Sequence, residues 1–118
     1  MMNDCSFPKS MRVCSPVDIE QLLRNGKSYR CGCLKVICLE KAGQPHDRIV
    51  VSVPKRLFKR AVKRNLLKRR IREAYRQTRK PLQEGVSGRD MMWIYTSKEQ
   101  ADYETIRQSM CSAMEHLS

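Results

Sequence analysis

Long hydrophobic runs are missing from this sequence of 118 residues. Its longest apolar stretch, residues 34–39, carries Lys35 and falls far short of the roughly 20 apolar residues that a spanning helix needs. The first 14 residues hold no apolar signal core and include Asp4 and Lys9. The expectation is a cytoplasmic chain with no membrane partner. Aromatics are scarce at 6%, so the core has to be aliphatic and modest. Paired metal-ligand spacings are also missing. There are six cysteines, at 5, 14, 31, 33, 38 and 111, but no C-x2-C, and His46 and His116 stand alone. Without a secretion signal a disulfide framework is not expected either, so the cysteines read as free, partly buried thiols. The twelve acids are scattered, only Asp18/Glu20 and Asp102/Glu104 being close together. A protein-only nuclease would need clustered carboxylates for its metal ions. No Ser-His-Asp or Cys-His arrangement stands out.

One further scarcity is local and decides the reading. Residues 55–80 contain a single acid, Glu73, against thirteen of the 24 basic residues. The rest of the chain holds eleven basic and eleven acidic residues, so the formal charge of +12 resides in this one segment. Such a charge attracts polyanions.

The remaining pattern predicts one α+β domain over residues 15–118 after an irregular segment 1–14. Ser15-Pro16 with Asp18 and Glu20 opens a helix that Asn25-Gly26 ends near residue 25. Residues 27–40 are rich in strand formers, as one strand or as two with a break near Gly32. The apolar run 48–53 suits a strand buried on both faces or facing a core. A strand follows over 89–97, and from Glu99 onward Ala101, Ile106, Met110, Ala113, Met114 and Leu117 space a final amphipathic helix.

Within the basic segment, Leu67, Ile71, Ala74 and Tyr75 share one helical stripe, while Asn65, Lys68, Arg69, Arg72, Arg76 and Arg79 fall opposite. The pattern predicts a helix from Asn65 that packs on the sheet by one face and presents cations on the other. Phe58, Ala61 and Val62 lie off the stripe, and Pro54 favours a break, so residues 55–64 read as a loop or an irregular first turn. Like charges at i,i+4, such as Lys68/Arg72 and Arg72/Arg76, repel. A face built for solubility would intersperse glutamate. Arginine also grips phosphate bidentately. A nucleic acid is therefore the expected partner; composition does not separate DNA from RNA, and a ribosomal or nucleoid-type structural binder meets the same pattern.

Residues 59–76, KRAVKRNLLKRRIREAYR, resemble the signature of the bacterial ribonuclease P protein subunit. The matches are Ala61, Val62, Arg64, Asn65, Lys68, Arg69, Arg72 and Glu73, and the similarity in element order covers roughly residues 15–117. The resemblance implies an α-β-β-β-α-β-α sandwich, with a four-stranded sheet and a left-handed βαβ crossover through the basic helix. It implies a non-catalytic subunit of a holoenzyme endoribonuclease. Its catalytic RNA subunit removes the 5′ leader of precursor tRNA with Mg2+, no cofactor being bound by the protein alone. The expected partners are that RNA, in a 1:1 complex with a monomeric protein, and precursor tRNA. Carried onto this sequence, the RNA-binding residues are Arg64, Asn65, Lys68, Arg69 and Arg72, with Lys59, Arg60, Lys63 and Arg76 as basic neighbours. Glu73 is expected to pair with a neighbouring arginine. The leader cleft between sheet and first helix falls on Ile19, Leu23, Tyr29, Lys35 and Ile37, where aliphatics at 19, 23 and 37 stand in place of the aromatics common in the family. Lys59-Arg60 also stands where the family often has a glycine.

Overall fold

The structure, a computed structural model, describes residues 16–41, 44, 47–78 and 88–117. Helix α1 spans Pro16–Asn25, with Pro16 in the first turn, where its missing N–H costs nothing, and Asp18 beside the helix's positive end. Gly26 N–H donates to the Leu22 carbonyl at 2.9 Å and closes the last turn. A Cβ on Gly26 would stand 2.5 Å from that carbonyl and 2.6 Å from Ile37 Cγ2, so only glycine lets the helix end lie this close to the sheet.

Residues 27–40 form two strands, β1 (Lys27–Cys31) and β2 (Leu34–Glu40). Gly32 turns the chain between them with φ +57°, the left-handed value a tight hairpin demands at its first central position. Strand β3 (Arg48–Ser52) leads through a loop to helix α2 (Ala61–Thr78). Strand β4 (Arg89–Tyr95) and helix α3 (Tyr103–Leu117) complete the order. Asp102 caps α3 by accepting from the Thr105 N–H at 2.8 Å.

The strand order is β1-β2-β4-β3. The β1/β2 and β2/β4 pairs are antiparallel, while β3/β4 is parallel and spanned by α2. The burial of β3 alternates, so it faces a core on one side only. On that side Leu34, Val36, Ile49, Val51, Met91, Trp93 and Tyr95 meet Leu67, Ile71, Ala74 and Tyr75 from α2 and Ile106, Met110 and Ala113 from α3. Burying such side chains is worth about 1.5–3 kcal/mol each before entropy is counted.

Two expectations are corrected. Helix α2 begins at Ala61, not Asn65. Ala61 and Val62 lie off the buried stripe because they occupy the solvent side of the same helix. The final helix begins at Tyr103, because Tyr95 Oη accepts the Ala101 N–H and donates to the Glu99 carbonyl, holding residues 99–101 in a loop.

Candidate nucleic-acid interface

Successive side chains along α2 rotate by about 100°. Leu67, Ile71, Ala74 and Tyr75 point into the core, as the stripe predicted. Diametrically opposite, Val62, Asn65, Arg69 and Arg76 stand in solvent, Val62 being 78% exposed. Lys68 and Arg72 lie half-buried along one flank. The other flank faces α3, where Arg70 Nη1 donates to the Ala101 carbonyl at 2.7 Å. Arg70 thus ties α2 to the loop that leads into α3. Arg76 forks onto Glu73, its Nε at 3.0 Å and Nη2 at 2.6 Å from the two carboxylate oxygens. These bonds, with that from Gln77, hold the Glu73 carboxyl below its usual range.

Arg64 is placed differently from its neighbours in the motif. It lies seven residues before Ile71 and so close to the inward azimuth. Its Nη1 donates to the carbonyls of Phe58 at 2.9 Å and Lys59 at 2.8 Å. Lys59, Arg60 and Lys63 are exposed around the helix start. Arg79 lies outside the described residues.

The second face of the sheet is only partly covered. Strand alternation and register put Arg30, Lys35, Ile37, Met92, Ile94, Val50 and Ser52 on it. Helix α1 crosses the end of this face where β2 finishes and β3 and β4 begin. There Leu22 is fully buried and Ile37 nearly so. Asp18 accepts from Arg48 at 3.3 Å and from Lys41 at 3.4 Å, and Lys41 also donates to Gln21 at 2.8 Å. Ile19 and Leu23 lie on the flank of α1 opposite Gln21, beside the uncovered sheet, with Leu23 55% exposed. The result is a trough with one aliphatic wall, from α1, and a floor of Lys35, Met92, Ile94, Val50 and Ser52, all half-buried. Arg30 stands exposed at its rim.

Tyr29 does not belong to this trough. Its register with Val36 points it to the helix-covered face, where its ring stacks on His116 of α3 at 5.9 Å and 9°. Of the five expected cleft residues, the structure brings together Ile19, Leu23, Lys35 and Ile37. Met92, Ile94 and Arg30 were missed because only pairing register shows that they share a face with Lys35. The four described cysteines are free thiols, with Cys33 buried against Ser109 Oγ at 3.5 Å. Among the described residues no three metal-ligating side chains converge, and no helix is long and apolar enough to cross a membrane.

A family model described as Ribonuclease P matches residues 7–118. The chain belongs to this family. The Ribonuclease P protein component of Porphyromonas gingivalis is 32% identical over 110 residues, covering 86% of this chain and 79% of that protein. That of Dictyoglomus turgidum is 41% identical over 80 residues, covering 68% and 66%. The RNase P protein of Staphylococcus aureus superposes with a TM-score of 0.77 at 22% identity, covering 93% of this chain and 97% of that one. The Thermotoga maritima protein gives 0.73 at 24%, covering 91% and 97%. These two share the ribonuclease P protein fold, including a four-stranded mixed sheet with three helices, and they bear out the α+β architecture read from the sequence.

Proposed function

We propose that this chain works in tRNA processing as the protein subunit of ribonuclease P, by binding the catalytic RNA through the solvent face of α2 and the 5′ leader of precursor tRNA in the trough beside α1. One observation carries the reading: the excess charge of the molecule lies in one segment, residues 55–80, whose helix α2 gives its apolar face to the core. Asn65 and Arg69 supply donors on the outer surface and Lys68 and Arg72 on its flank, with Lys59, Arg60 and Lys63 at the helix start. Arg76 reaches phosphate while sharing Glu73. Lys35 and Arg30 in the trough suit leader phosphates, and its apolar residues Val50, Met92 and Ile94 suit sugars and base faces. In this reading the hydrolysis and its magnesium belong to the RNA, and one protein binds one RNA.

Reconstitution tests this. Purified protein with the catalytic RNA of its own organism should process precursor tRNA at low magnesium, where the RNA alone is slow. No stimulation refutes the proposal. Equal affinity for duplex DNA and for the catalytic RNA would favour a ribosomal or nucleoid-type binder instead.

A further inference from the structure

We infer that Arg64 serves RNA binding as a positioning residue, clamping the cationic loop between β3 and α2 rather than holding phosphate itself. The inference rests on the reading of α2 as an RNA-binding surface. Between Pro54 and the helix start the chain bears four exposed cations: Lys55, Arg56, Lys59 and Arg60. Leu57 and Phe58 N–H both donate to the Pro54 carbonyl, at 3.1 and 3.4 Å. The Phe58 ring is buried and tilts against Tyr95 at 5.7 Å. Leu57 packs partly buried against the core, and Arg64 adds a polar restraint, its Nη1 reaching the Phe58 and Lys59 carbonyls together.

Helical geometry makes the assignment selective. Asn65 and Arg69, four residues apart, share the outer surface. Arg64 is turned back along the line of Ile71, so its guanidinium crosses the helix start toward the loop. Four like charges on a short segment repel one another. A fifth cation would add to that repulsion, unless its hydrogen bonds to the loop carbonyls order the backbone that bears the four. A preordered array of cations then meets phosphate without an ordering cost at binding.

Two measurements on the full chain decide the matter. In the free protein, Arg64→Met should raise amide exchange at Leu57 and Phe58 at least severalfold, Arg64→Lys should give intermediate rates, and Arg69→Met should leave both amides as they are. For RNA affinity, Arg64→Met should cost roughly tenfold in the otherwise native protein but less than about twofold once Lys55, Arg56, Lys59 and Arg60 are all glutamine, the coupling expected of groups acting as one unit. A general loss of fold would weaken both backgrounds alike, and so would a direct phosphate contact; either result overturns the inference. Unchanged exchange at Leu57 and Phe58 overturns the clamp on its own terms. A native protein that binds no RNA overturns the reading of α2 on which the inference depends, while the exchange rates still report whether the clamp exists.

Discussion

Arg48 and Asp90 stand opposite each other on the parallel strands β3 and β4, and the guanidinium forks onto the fully buried carboxylate with Nε at 2.9 Å and Nη2 at 2.8 Å. The same Nη2 reaches Asp18 on α1. One arginine therefore joins two strands of the sheet to the helix that walls the trough. Its bonds to Asp90 raise its pKa further, so it stays charged at every accessible pH. Arg48→Met should cost about 3 kcal/mol, because removing one partner leaves a buried charge poorly compensated. Asp18→Asn, at a part-exposed leg of the cluster, should cost about 1 kcal/mol or less. Denaturant midpoints of the two variants check the ranking.

The two close approaches at glycine should be intolerant. Gly32→Ala combines a left-handed φ with a Cβ 2.3 Å from Ser109 Oγ. That hydroxyl is already engaged by the Cys33 N–H and the Thr105 carbonyl. Gly26→Ala meets backbone and Ile37 without any unusual φ. Each should lose roughly 2 kcal/mol or more, read as a fall in thermal or denaturant midpoint.

Acid should weaken the two longer helices. Asp102 is held below the usual carboxylate range chiefly by the Thr105 backbone N–H, Glu104 by Arg107, and Glu73 by Arg76. A carboxyl whose folded pKa is depressed stabilises the fold above its unfolded pKa, and that contribution disappears as pH falls through the folded value. Stability should therefore be level near neutrality and decline below about pH 4.5, the range in which unperturbed carboxylates protonate. Asp102→Asn should flatten part of that decline in denaturation curves taken from pH 7 to pH 3.

The trough should act on the leader alone. Lys35→Gln, and Arg30→Gln with it, should weaken precursor tRNA binding by the holoenzyme several-fold, about 1 kcal/mol per lost phosphate contact, while leaving mature tRNA affinity unchanged. Because no described aromatic side chain faces the trough, exchanging purines for pyrimidines in the leader should change affinity by less than stacking sites show, about 1–3 kcal/mol per base.

Much of this was legible in the sequence, for local reasons. Pro16, Gly26 and Gly32 act through their own backbones, and the strands and helices they bound lie where those residues put them. The stripe from Leu67 to Tyr75 followed from periodicity alone. The helix start did not, because Val62 looked misplaced for a buried face when it belongs to the exposed one. The placement of Tyr29 and of Arg64 was not legible for a different reason. A strand residue has two faces to choose from, and a cation beside other cations has no label showing whether it points to solvent or to a carbonyl. Register with Val36 decides the first, and seven-residue spacing to Ile71 decides the second. The first needs the pairing of two strands, and the second needs the loop carbonyls that Arg64 meets.

The central claim is that the outer face of α2 is a phosphate-binding surface, and the salt dependence of RNA affinity tests it most directly. Binding of the full chain to the catalytic RNA should be measured from low to high salt for the native protein, Arg69→Gln and the Lys68→Gln/Arg69→Gln pair. Each lost phosphate contact should make the log–log slope shallower by about 0.7–0.9, so the pair should lose roughly 1.5. A slope unchanged by both substitutions, at unchanged stability, would contradict the account.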